Sequence, residues 1–303
     1  MTFDFSDFSK YRTQLMGISI LMIMLFHAFS RYFAFRWGYV GVEFFLVVSA
    51  IGMYFSLSKD SRLIPFYRKR LLRILPAYFI VAIPYFLYLY WNDFSWGKIF
   101  YNLAGLYILK GELHFWFIGL ILLCYLISPF YFKLLKYRYS ALFPFITLVV
   151  CFFLGQRFAS LEIYINRFAI FFLGFHLAKW VHDKKRIQIR FLGLFCLVSF
   201  LLILCIEAMD CYIGIKRVLF FFPTIPVLMG CVLLLKKCPK WVHQVLIFMG
   251  VMSLELYMVH ERVCLYALLG QYDYVLRGIV SFPVAIVLAY LLHKLLSLVI
   301  RRN

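Results

Sequence analysis

The chain is poor in charge: only 15% of its 303 residues are Asp, Glu, Lys or Arg, where a soluble domain carries nearer a quarter. Sixty-five per cent are hydrophobic, more than one soluble core of this size can hide, so lipid must solvate much of the surface. The eight cysteines form no C-x-x-C pair, and most lie inside apolar runs, as Cys124, Cys151, Cys196, Cys231 and Cys264 do. Such cysteines pack as small hydrophobes, which argues against a disulfide framework and against a structural zinc site; no metal is expected. No cleavable signal peptide is expected, because the first apolar run is long, follows the mixed charges Asp4, Asp7, Lys10 and Arg12, and lacks a small-x-small cleavage site. With no internal repeat or low-complexity tract, residues 1–303 read as a single integral membrane domain without an appended soluble domain.

What is present is a succession of apolar runs with basic clusters between them. The net charge of +19 therefore points to topology signals and anionic lipid rather than to nucleic acid, whose ligands line up along one polar face. Runs of membrane length fall near 13–33, 39–57, 76–91, 114–135, 140–155, 164–181, 189–207, 217–235, 245–268 and 277–299. The expected fold is all-α, a polytopic transmembrane helical bundle of about ten spans. Residues 98–110, KIFYNLAGLYILK, are too short to cross and read as interfacial or re-entrant. With both termini in the cytoplasm, about two-thirds of the 32 Lys and Arg fall on the inner side, as the positive-inside rule requires.

An ionisable group in a span is costly and needs a reason. His27 lies near the outer end of the first span and Glu43 one turn into the second, so the two share a depth. A carboxylate there would orient the ring for general-base work on an alcohol, or the two would form a structural ion pair. Ser253, Tyr257 and His260 follow an i, i+4, i+7 spacing in the ninth span, beside Glu255, Glu261 and Arg262. His114 and Trp116 open the fourth span and Asn166 and Arg167 the sixth, again on the outer side. Trp116 also suits an aromatic-belt anchor. Five spans thus bring polar groups to one level. On the inner side, FYRKRLLRILP places Arg68, Lys69, Arg70 and Arg73 before Pro76, which should end or kink the helix. Four cations there suit a phosphorylated ligand or anionic lipid. His176, His182, His243 and His293 read as solvated or structural, and Glu207 and Asp210 as a solvated outer loop.

At these residues the chain resembles the acyltransferase-3 family of integral membrane acyltransferases. The resemblance is carried by LMGISILMIMLFHAF, GYVGVEFFLVVSAIGMYFSL, FYRKRLLRILPAY, HFWFIGLILLCYLISPF, INRFAIFFLGFHLAK and SLELYMVHERV, in that order. It implies transfer of an acyl group, usually acetyl, from a cytoplasmic acyl-CoA donor to a hydroxyl of a cell-envelope or exported glycan, at the cytoplasmic membrane. The resemblance implies a catalytic role for His27 and the acidic partner at Glu43, where the family more often has Asp. It further implies that Arg68, Arg70 and Arg73 serve the CoA phosphates. The family commonly has an Arg where this chain has Met16; Arg12, one turn earlier, is the candidate substitute.

The expected machinery is thus His27 and Glu43 for catalysis, with Arg12, Arg68, Arg70 and Arg73 for the donor. His114, Trp116, Arg167, Tyr257 and His260 are expected around the acceptor or the developing oxyanion. Direct transfer and an acyl-imidazole intermediate both remain open, as does handover to a separate extracytoplasmic transferase. The rival reading is a glycan transporter or flippase without covalent chemistry, which also suits many spans with buried charges.

Overall fold

The computed structural model describes residues 2–208 and 213–300, apart from the side chains of residues 190, 192, 213, 214, 299 and 300. The helices that position the site are α1 (Arg12–Phe29), α2 (Gly41–Lys59), α3 (Leu63–Leu89), α4 (Trp96–Leu103), α5 (Trp116–Leu134), α6 (Phe143–Arg157) and α7 (Phe168–His182). After them come α8 (Ile189–Ala208), α9 (Thr224–Leu235), α10 (Lys240–Val251), α11 (Ser253–Val259) and α12 (Tyr274–Ile300). Each expected apolar run reappears as helix. Seven segments are long and apolar enough to cross a membrane, and α10 with the chain through Leu268 forms an eighth, bent by 64° at its break. The remaining two, Gly193–Ala208 and α9, are shorter apolar helices among the described residues, so seven or eight full-length spans and two shorter helices account for the apolar runs. For α9 the reason is Pro223, which separates it from the helix ending at Leu219.

Lipid is written on the surface. Phe153, Leu234 and Leu298 are each about two-thirds exposed, which water would not tolerate on this scale. By contrast α2 carries apolar residues on every face and is mostly buried, with α7 packed along it. Helix α10 meets α1 backbone to backbone. A Cβ at Gly17 would strike the carbonyl of Leu246, and one at Gly250 the carbonyl of Thr13, so these two glycines permit the contact.

Three features depart from expectation. Helix α3 begins at Leu63 and runs through Pro76 and Pro84 without ending, so the basic stretch is the first half of a membrane helix rather than a loop. The chain is not wholly helical: β1 (Thr2–Asp4) pairs antiparallel with β2 (Arg186–Gln188). Glu207 is not solvated, since the Tyr39 hydroxyl donates to it at 2.7 Å and Lys216 lies 3.9 Å away; Asp210 lies outside the described residues. Helix α4 is short and half-exposed, with Ile99 and Asn102 buried and Trp96 and Phe100 outward, as an interfacial element should be.

The β1–β2 pair, the Asp4–Arg186 ion pair and a Lys236–Asp7 pair gather the N-terminal strand and the loops after α7 and α9 at the Arg12 end of α1. This is the basic end. His27 lies fifteen residues further along α1, about 22 Å at the helical rise, at the opposite or histidine end.

Candidate active site

His27 occupies the last turn of α1, and its Nδ1 lies 3.5 Å from Oε1 of Glu261. The ring of His260 faces it, with centroids 5.2 Å apart. Helix α11 gives way at His260 to π-helical turns that continue to Leu268. Such turns are frequent at functional sites, and here they carry Glu261 to His27. Nδ1 of His260 lies 3.0 Å from the carbonyl oxygens of both Leu256 and Tyr257, so it carries the proton and donates to them. Nε2 is left with a lone pair, buried and without a hydrogen-bond partner.

Glu43 does not orient His27. Its Oε1 lies 3.3 Å from Nε of Arg167, and both side chains are almost wholly buried. On the first turn of α2 the carboxylate points toward α7, where a buried charge meets an opposite one, and Gly41 beside it packs against Ser19, Met22 and Ile23, one to two helical turns short of His27. Arg167 also donates to the Ile163 carbonyl at 2.9 Å and lies 4.8 Å over the Trp116 ring. Trp116 and Arg167 are therefore brought together with Glu43, beside rather than within the His27 cluster. The carboxylate that does meet His27, Glu261, follows His260 directly in sequence. A costly acid inside a span was the signal for it; ideal α-helical spacing hid it.

Tyr257 joins this cluster to α5. Its hydroxyl accepts the Phe117 backbone N–H at 3.0 Å, satisfying one of the free donors of the first turn. Its ring lies 5.2 Å from that of Phe117 and 5.9 Å from that of His260. His114 stands just before α5, with Nδ1 3.2 Å from the Tyr85 hydroxyl and Nε2 3.1 Å from Glu112. Burial and the nearby Arg262 charge hold its pKa below the ordinary value, against the pull of Glu112. Arg262 donates to the Leu113 carbonyl at 2.7 Å and so ties this strap to the π-helical turns.

Toward the basic end, a cavity of about 510 Å³ is lined by Arg12, Lys69, Arg70 and Arg73, with Met16, Gly52 and Phe117 in its wall. Arg12 reaches the cavity that Met16 also lines, and its guanidinium and that of Arg70 converge on Gly52. Arg70 donates to the Gly52 carbonyl at 3.2 Å, and a Cβ on Gly52 would lie 2.7 Å from Nη1 of Arg12. Arg73 is instead held by Glu255, at 2.7 and 3.2 Å, and His293 contacts the same carboxylate at 3.1 Å. Arg68 is exposed and stands off the cavity wall. Residues two apart on a helix point about 200° away from each other, so Arg68 cannot share a face with Arg70. Among the described residues no carboxylate pairs with Arg12, Lys69 or Arg70.

Phe117 thus sits in the cavity wall, touches Tyr257, and through it and His260 leads to His27. One end of this series offers cations for an anion, the other an imidazole beside a carboxylate. Neither a curated protein nor a solved structure gives a significant match to the chain. A family described as an acyltransferase domain matches residues 14–301, nearly the whole length. The chain therefore belongs to the acyltransferase-3 family and is a multi-pass membrane acyltransferase.

Proposed function

We propose that this enzyme moves an acetyl group from cytoplasmic acetyl-CoA to a hydroxyl of a cell-envelope or exported glycan, across the cytoplasmic membrane in which it lies as a single domain. The observation that carries the reading is the placement of a histidine beside a carboxylate and of a cation-lined cavity at opposite ends of the same helix, α1. The basic end faces the cytoplasm, where Arg12, Lys69 and Arg70 meet the CoA phosphates; guanidinium groups suit that contact by their forked geometry. Arg73, already engaged by Glu255, shapes the cavity wall instead.

At the other end Glu261 accepts the Nδ1 proton of His27 and leaves Nε2 as the base, the division of labour of a catalytic dyad. Nε2 takes the proton of the acceptor hydroxyl, the hydroxyl oxygen attacks the thioester carbonyl, the C–S bond breaks, and the thiolate leaves and is reprotonated. His260, whose free Nε2 carries a lone pair, accepts a hydrogen bond from the glycan rather than donating one to an oxyanion. His114, Trp116 and Tyr257 border the acceptor.

The test is His27→Ala in the full chain, with thiol release from acetyl-CoA and acetyl mass on envelope glycan as readouts. Both should vanish while membrane insertion and thermal melting are unchanged. Acetylation at the wild-type level would overturn the assignment.

A further inference from the structure

We propose that His27, His260 and Glu261 also form a binding site for a divalent zinc ion, reached from the histidine end, whose occupancy switches acyl transfer off. The site uses side chains of the function proposed above. Only the switching, not the binding, rests on His27 being the base.

Two imidazole nitrogens and one carboxylate oxygen are the ligand set of open, three-residue zinc sites. Tetrahedral coordination at about 2.0–2.2 Å sets neighbouring donor atoms roughly 3.3 Å apart. His27 Nδ1 and Glu261 Oε1 are already at 3.5 Å, and the donor atoms of all three residues lie within 4.8 Å of one another. Closing the set takes small rotations about side-chain bonds, not movement of helices.

A second observation points to a ligand independently. Nε2 of His260 is fully buried and has no hydrogen-bond partner, while Nδ1–H is fixed by two backbone carbonyls. Metal-binding histidines are oriented in this way by their other ring nitrogen. An unsatisfied buried acceptor is costly, and a cation in front of it removes that cost. The nitrogen-rich set favours zinc over magnesium or calcium, which take oxygen ligands. The His27 side chain keeps 22% exposure, which gives the ion an approach.

Arg262 opposes the ion. Its Nη2 lies 3.6 Å from Oε1 of Glu261 and donates to the Leu113 carbonyl. A fixed positive charge beside a ligand weakens cation binding, so affinity should rise when that charge is removed. Zinc on Nδ1 of His27 also moves the ring proton to Nε2. That nitrogen then has no lone pair with which to take a hydroxyl proton, which is how the ion halts transfer.

The experiment uses full-length protein in detergent, stripped with a chelator and titrated with zinc chloride against a chromogenic zinc indicator. One zinc per chain is expected, with binding weakened about tenfold or more in His260→Gln and in Glu261→Gln, and strengthened in Arg262→Gln. Cobalt substituted for zinc should show the visible bands of tetrahedral coordination. Absence of stoichiometric zinc overturns the site, as does equal binding by a His260→Gln protein whose thermal melting is unchanged. One zinc bound without slowing thiol release overturns the switch and removes His27 from the base role, while the site itself stands.

Discussion

Arg73 and Glu255 bind α3 to α11, with Nη1 of the arginine 2.7 Å from a carboxylate whose side chain has no exposure at all. The pair is asymmetric, because the arginine side chain is 41% exposed. Removing Arg73 strands a buried carboxylate, whereas removing Glu255 lets the arginine turn to water. Arg73→Ala should therefore cost more stability, roughly 2–3 kcal/mol after allowing for the arginine's exposure and for His293. Glu255→Ala should cost less. Thermal melting of the two variants in one detergent checks the order.

Exchanging the two candidate acids separates orientation from packing. Glu261→Gln leaves His27 without an acceptor for its Nδ1 proton, and turnover should fall by about 100-fold or more with little change in the donor KM. Glu43→Gln strands Arg167 instead, so its melting temperature should fall, with activity following only the loss of folded protein. Equal loss of turnover per folded molecule in both would restore Glu43 to the catalytic group.

If the cation-lined cavity holds the donor, as proposed, it makes a positional prediction within one basic stretch. Arg70→Ala should raise the KM for acetyl-CoA about tenfold, while Arg68→Ala, on the opposite side of α3, should leave it within twofold. Gly52→Ala should raise that KM by less than Arg70→Ala does, because its methyl group only displaces the end of the flexible Arg12 side chain.

His114 predicts a pH dependence. Its folded-state pKa lies below 6.5, its ordinary value, chiefly through burial and then through the Arg262 charge. As pH falls below about 6.5 the unfolded chain takes up a proton that the folded chain does not, so stability declines toward acid until the folded pKa is reached. His114→Gln should flatten the melting temperature between pH 6.5 and that lower value. An unaltered slope would assign the acid sensitivity to other groups.

The helices were legible because lipid imposes a plain pattern: every expected apolar run became a helix, and even the interfacial 98–110 segment stayed out of the span count. Some of the partners were legible too, for Glu43 and Arg167 meet, as do His27, His260 and Tyr257. Azimuth was not. Glu43 and His27 face different neighbours, and Arg68 and Arg70 differ by two positions that a helix turns into opposite faces. The π-helical turns that bring Glu261 to His27 depend on packing against α1 and α12, which no regular period in SLELYMVHERV announces.

On the proposed function, α1 carries a cavity cation at one end and the His27 imidazole at the other, and so acts as a ruler for the donor. The interval of about 22 Å between Arg12 and His27 has to be bridged by the molecule that delivers the acyl group. A thioester on a long phosphorylated tether can hold the cations and still present its carbonyl to the far end. Truncated thioesters and acyl phosphates have no such reach, and on this scaffold they would have to cross unassisted.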